Sequence, residues 1–188
     1  MGADWLVVTW AGGGNVNPVL ALAGHLRARG HRLAAVAPSS LAPRLDAAGV
    51  EQTVASSGWL PTADDVASAV ERLNPNALVM DYMLTGALCA AERAGLPTVA
   101  LVHTLYRALL TDGGPYPMGM AGPVEAVNAV RRQLGLEPVS SHGQLLTAAD
   151  LVLVTAPRQL DVDGDTPANV SYCGALFEGP GEDAGWVP

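Results

Sequence analysis

The sequence predicts an α/β domain built on a parallel β-sheet. Three observations carry that prediction. Short apolar runs alternate with stretches whose apolar residues recur at helical spacing, and the connections between them are short. Ala, Val and Leu supply most of the 49% hydrophobic content while aromatics are only 5%, a mixture suited to buried strands under alanine-rich helices. A chain of 188 residues fits one domain with a sizeable core.

The elements follow in order. Trp5 to Trp10 (WLVVTW) reads as a buried strand. Pro18 to Arg29 reads as a helix, with Asn17 as its N-cap, Pro18 at the first helical position and Gly30 closing it. His31 to Ala37 is the second strand, Leu41 to Ala48 a short helix and Val50 to Ala55 a third strand. A loop over Ser56 to Thr62 leads to a helix over Ala63 to Leu73. Ala77 to Asp81 (ALVMD) is a strand, Thr85 to Ala94 a helix closed by Gly95, and Pro97 to Val102 a strand. Such alternation implies right-handed crossovers.

After His103 the pattern breaks. Thr111 to Pro123 holds four glycines and three prolines and reads as a long irregular loop. Helices over Val124 to Leu134 and Ser141 to Ala148 follow, then strands at Asp150 to Thr155 and near Asn169 to Cys173. The tail Glu178 to Pro188 is rich in Gly, Pro and acid and reads as a linker.

Composition excludes several classes. A formal charge of −8, with the ten Lys and Arg scattered, argues against a nucleic-acid or anionic-membrane surface. Cys89 and Cys173 lie far apart, which suggests neither a disulfide framework nor a zinc site; Cys89 reads as a buried free thiol. The opening residues lack a secretory pattern, and no apolar run reaches the roughly 18 residues of a membrane span, so the cytoplasm is the expected location.

The stretch Ala11 to Pro18 (AGGGNVNP) follows a strand and opens a helix, the layout of an anion or ligand site. A dinucleotide reading fails twice. Read from Gly12, the run carries Asn17 where the last glycine belongs, and the second strand ends in Ala37-Pro38-Ser39 with no acid for a ribose. No Lys-Ser or Lys-Thr follows, so it is not a Walker loop.

TWAGGGNVNPVLALAGHLRARGHRLAAV resembles the first strand, turn and helix of bacterial glycosyltransferases that modify macrolides and other natural products. LVMDYMLTGALCAAERAGLPTVALVHT looks like their fourth strand, helix and fifth strand. LVLVTAPRQLD and VSYCGALFEGPGEDAGWVP look like their last strands and the linker that follows. The resemblance implies the GT-B architecture of two domains, each a Rossmann-like doubly wound parallel sheet. Residues 1–177 would be the acceptor-binding domain and 178–188 the start of the linker to a carboxy-terminal donor-binding domain. It further implies a hexosyltransferase of natural-product or antibiotic biosynthesis, inverting and without metal or cofactor. Its nucleotide-sugar donor would sit on the other domain, so residues 1–188 alone would be inactive.

In that family a general base in the first turn takes the acceptor proton, and a carboxylate after the fourth strand orients it. These roles fall on Asn15 and Asp81. Asp81 ends a strand at the carboxyl edge; the plainer alternative is an acid stabilised by the start of the next helix. Asn15 departs from the family, because a carboxamide does not take up a proton near neutral pH. The acceptor then needs no base there, another residue serves, the activity has been lost, or the residue was changed deliberately. His103, at the end of the fifth strand, has the chemistry of a base, with an ordinary pKa of about 6.5. Asp112 opens the glycine-rich loop and is a second candidate, for acceptor contact as well. Both have plainer readings, as a cleft wall or capped histidine and as a solvated turn acid. His25, His31 and His142 read as structural.

Trp10, Gly13, Gly14, Tyr82, Met83 and Tyr106 are the expected acceptor contacts, with Leu105, Tyr116 and Met118 beside them. Core packing is the plainer role for any one of these side chains. Sparse charge over Leu101 to Leu110 favours a small apolar or aromatic acceptor over a polar sugar chain. Competing expectations are a sugar-nucleotide epimerase, a dehydrogenase or flavodoxin-like domain, and a non-catalytic binding or partner module derived from the same fold. The last draws support from Asn15.

Overall fold

The computed structural model of the chain describes residues 2–110 and 123–177. Within them seven strands form one parallel sheet: β1 (Asp4–Val8), β2 (Arg32–Ala37), β3 (Glu51–Val54), β4 (Ala77–Asp81), β5 (Thr98–Val102), β6 (Leu151–Val154) and β7 (Val170–Tyr172). Their spatial order is β3-β2-β1-β4-β5-β6-β7. The chain builds outward from β1 to β3, returns to the other side of β1, and builds outward again. Val8 of β1 therefore stands opposite Met80 of β4, at the point where the winding reverses.

The helices are α1 (Val16–Ala28), α2 (Ala42–Ala47), α3 (Ala63–Leu73), α4 (Thr85–Ala94), α5 (Tyr106–Leu110), α6 (Val124–Gln133) and α7 (His142–Thr147). Successive strand residues point to opposite faces, so both faces need cover. On one face Leu6, Val8, Leu78 and Met80 pack with Val66 of α3, Leu88 of α4, Val127 of α6 and Leu145 of α7. On the other, Val7, Ala35, Val79 and Leu101 pack with Val19 and Leu20 of α1 and Leu45 of α2. This is an α/β Rossmann-like doubly wound sheet: the alternating pattern predicts the parallel sheet and the family resemblance its double winding. Cys89 is a buried free thiol in α4.

Several boundaries differ from the sequence reading. β1 ends at Val8 rather than Trp10, because the chain turns at the strand end. Helix α1 begins at Val16, two residues before Pro18, and Asn15 rather than Asn17 stands at its cap position. The proline is tolerated in the first turn, where its missing N–H has no helical partner to lose. Asn17 Oδ1 instead accepts from Arg44 Nη2 at 2.7 Å. The expected helix over Leu41 to Ala48 is a 3₁₀ turn, Ser39–Leu41, leading into α2. Helix α5 lies in a stretch for which the sequence reading gave no helix. By contrast α4 ends as predicted, with Gly95 in the left-handed region at φ 65°. The loop over Thr111 to Pro123 and the linker over Glu178 to Pro188 fall outside the described residues, apart from Pro123 itself.

One buried ion pair ties α4 to α6. Arg131 donates to both Glu92 oxygens at 2.6 and 2.9 Å and through Nε to the Glu137 carbonyl. The Arg131 side chain is 4% exposed and that of Glu92 29%. Glu92→Ala should therefore cost about 2–3 kcal/mol in urea unfolding, by leaving a buried guanidinium half paired. Arg131→Met should cost clearly less, because the released carboxylate can reach water. Equal losses would contradict this asymmetry.

Candidate functional site

The carboxyl ends of β1, β4 and β5 meet where the winding reverses, the edge at which doubly wound sheets place their ligands. Past β1, Thr9 still donates its N–H to Val36 O, and the chain then turns over the strand end into α1. The indole of Trp10, 7% exposed, lies beneath that turn. A Cβ on Gly12 would stand 2.5 Å from the indole, so only glycine lets the chain cross it. Gly13 has φ 90°, which favours glycine on conformational grounds. Among the described residues a Cβ at Gly13 or Gly14 would meet nothing within 4 Å, so those residues leave this flank of the turn open.

Asn15 does not cap α1 with its side chain. The carboxamide points back into the sheet edge, where Nδ2 donates to Asp81 Oδ2 at 2.8 Å and to the Trp10 carbonyl at 2.7 Å. Thr9 Oγ1 is a third contact at 3.2 Å, and Oδ1 accepts the Gly12 N–H at 3.1 Å. Two N–H protons and one carbonyl oxygen are all a carboxamide has. All are engaged inside the protein, and the residue is 1% exposed.

Asp81 is also 1% exposed. While Oδ2 accepts from Asn15, Oδ1 accepts the Met83 N–H at 3.0 Å. The cap position of α4 falls on Leu84 with no side-chain cap, so this carboxylate does not serve as the helix's N-cap. It spans two loops instead. His103, immediately after β5, sets Nε2 3.4 Å from Asp81 Oδ2, with its side chain 11% exposed. The Tyr82 ring packs edge-on against the imidazole at a centroid distance of 4.8 Å. Asn15, Asp81 and His103 thus form one cluster from three strand ends.

The remaining expected contacts separate. Met83 is half-buried beside the cluster and engages Asp81 through its backbone. Trp10 and Tyr106, 7% and 1% exposed, have their rings in the core rather than on a pocket surface. The glycine turn crosses over the Trp10 indole. Asp112, Tyr116 and Met118 lie outside the described residues. His31 accepts the Ala3 N–H through Nδ1. Among the described residues no group of three or more His, Cys, Asp or Glu is placed to hold a metal. No described helix is long and apolar enough to cross a membrane.

Two contributors escaped sequence reasoning. Thr9 Oγ1 accepts from Asn15 Nδ2, in a stretch that the sequence reads simply as a buried strand. Asp161 accepts the N–H groups of Arg107 and Ala108 at 2.9 and 3.1 Å, capping α5 from 53 residues away. It also accepts from Val162 N and from Tyr172 OH. No local signal marks such a cap, although it fixes the segment just after His103.

Burial pushes the Asp161 carboxyl upward, but the hydrogen bonds from Arg107, Tyr172, Val162 and Ala108 outweigh it and hold the pKa below the ordinary value. Its stabilisation is therefore fully present above the unfolded value of about 3.9 and lost as pH falls through the lower native one. Between about pH 6 and about pH 3 the parent should lose more stability in urea than Asp161→Asn. Parallel losses would show that this carboxylate is not a source of acid lability.

No protein-family profile matches the chain, and no curated protein matches it in sequence. Among solved structures its neighbours are natural-product glycosyltransferases. The glycosyltransferase of kitacinnamycin superposes with a TM-score of 0.73 at 22% identity, over 100% of this chain and 55% of that one. The spinosyn forosaminyltransferase SpnP gives 0.72 at 15% identity, over 96% and 52%. The calicheamicin glycosyltransferase CalG4 gives 0.67 at 23% identity, over 93% and 52%. At these identities the likeness establishes the fold. The chain spans about half the length of the structures it matches.

Proposed function

We propose that this chain is the acceptor-binding half of an inverting glycosyltransferase that moves a sugar from a nucleotide-sugar donor to a small natural-product acceptor. The observation that carries this reading is the buried cluster of Asn15, Asp81 and His103 at the winding reversal. It lies on a fold shared with half of each glycosyltransferase neighbour. The open flank at Gly13 and Gly14, with Met83 and Leu105 nearby in sequence to the cluster, suits a small apolar or aromatic acceptor.

The nucleotide-sugar then belongs to a carboxy-terminal donor-binding domain, and residues 1–188 alone transfer nothing. Displacement at the anomeric carbon is direct, with inversion and without metal or resident cofactor. We place the protein in the cytoplasm, in natural-product or antibiotic biosynthesis. A second reading, a non-catalytic binding or partner module, is favoured by one observation. Both N–H protons of the Asn15 carboxamide are spent inside the protein, and the group offers an acceptor no base.

The test is a transfer assay on the product of the complete reading frame and on the 188-residue chain, using nucleoside-diphosphate sugars with phenols and hydroxylated polyketides. The account expects transfer from the former only. A reading frame that ends at Pro188, with acceptor binding but no transfer, would replace the enzyme reading with the partner module.

A further inference from the structure

We infer that His103 accepts the acceptor's proton, with Asp81 as the group that orients it and Asn15 as a fixed support. This rests on the glycosyltransferase reading above. Three features carry it.

The first is exclusion. Asn15 occupies the turn position next to the carboxylate, yet it spends Nδ2 on Asp81 and Trp10 and Oδ1 on Gly12. No residue in the described part of that turn, Trp10 to Gly14, carries a basic side chain. The second is geometry. Among the described residues His103 Nε2 is buried and makes no hydrogen bond, and the nearest anionic oxygen is Asp81 Oδ2 at 3.4 Å. A neutral imidazole in this position keeps its proton on Nε2, facing the carboxylate, and leaves Nδ1 as the basic atom. The third is restraint. The Tyr82 ring holds the imidazole edge-on, and Met83 N–H and Asn15 Nδ2–H hold the two Asp81 oxygens.

The acceptor O–H bond breaks as its proton passes to His103 Nδ1. The freed oxygen electron pair forms the new bond to the anomeric carbon of the nucleoside-diphosphate sugar. The bond from that carbon to the diphosphate oxygen breaks, and its electron pair leaves with the nucleoside diphosphate. Asp81 offsets the imidazolium formed in the transition state and moves no proton.

The orientation can be read on the chain as it stands. Two-bond ¹⁵N–¹H correlation on histidine-labelled chain, assigned with His103→Gln, should show the Nε2–H tautomer at about pH 8. Asp81→Ala should convert it to a mixture. An Nδ1–H tautomer in the parent overturns the assignment, whatever the transfer assay gives. In the transferring enzyme, His103→Gln should lower kcat about 10²-fold for benzyl alcohol with KM within a few-fold. For para-nitrophenol, whose hydroxyl is already acidic, it should lower kcat by less than about 10-fold. Equal losses for the two acceptors overturn the proton-acceptor role and leave the glycosyltransferase reading intact. Absence of transfer in the parent removes that reading, while the tautomer remains a separate result.

Discussion

Asn15→Asp is expected to cost about 3–5 kcal/mol of stability at neutral pH. The substitution replaces the N–H donor to Asp81 Oδ2 and the Trp10 carbonyl with an oxygen. Two carboxylates would then stand at a hydrogen-bond distance with both residues 1% exposed. The cost joins an unsatisfied buried carbonyl to like-charge repulsion. One carboxyl of such a pair has its native pKa raised, so the folded state binds the extra proton. Stability should accordingly recover as pH falls and worsen as it rises. Asn15→Ala, which loses the bonds but adds no charge, should cost about 2 kcal/mol with little pH dependence. Urea midpoints for the three proteins at about pH 5 and about pH 7 check this. If Asn15→Asp matches the parent at neutral pH, the buried network does not exist as described.

Asp81→Ala should lower the proposed activity about as far as His103→Gln does. Removing the carboxylate frees His103 from its orienting partner and leaves Asn15 Nδ2 without one acceptor. A fall in kcat of about 10²-fold for benzyl alcohol is expected, no larger than for His103→Gln, with KM nearly unchanged, because the lost interaction strengthens as charge develops on the imidazole. Steady-state kinetics on the transferring enzyme measure the split. Circular dichroism on the same preparation checks that the fold is retained. A folded Asp81→Ala enzyme with unchanged kcat would mean that this carboxylate takes no part in transfer.

The sheet was legible because its signals are local. Strands such as LVV in β1 and ALVMD in β4 are continuous apolar runs, since α1 and α2 cover one face and α3, α4, α6 and α7 the other. The closure of α4 by Gly95 was readable for the same reason. Helix α5 was not, because it has only five residues and its cap arrives from Asp161, far along the chain. The α1 boundary misled because Asn17-Pro18 looks like a cap and first turn, whereas the cap position is Asn15.

The candidate site was legible in part. The family resemblance assigned roles to Asn15 and Asp81, and the end of the fifth strand named His103. What no sequence pattern conveyed is that Asn15 is saturated while His103 Nε2 still faces an oxygen. Burial could not be read either. For Trp10 and Tyr106 the sequence left acceptor contact and core packing both open, and their rings stand in the core.

The most direct measurement is a chemical-shift map of the ¹⁵N-labelled chain, titrated separately with a flat phenol such as naphthol and with thymidine diphosphate. The account predicts that naphthol perturbs Gly13, Gly14, Met83 and His103 together, and that thymidine diphosphate leaves them unmoved. A nucleotide that saturates the Gly12 to Asn15 turn, or a phenol that avoids the carboxyl edge, would contradict an acceptor-binding role for this chain.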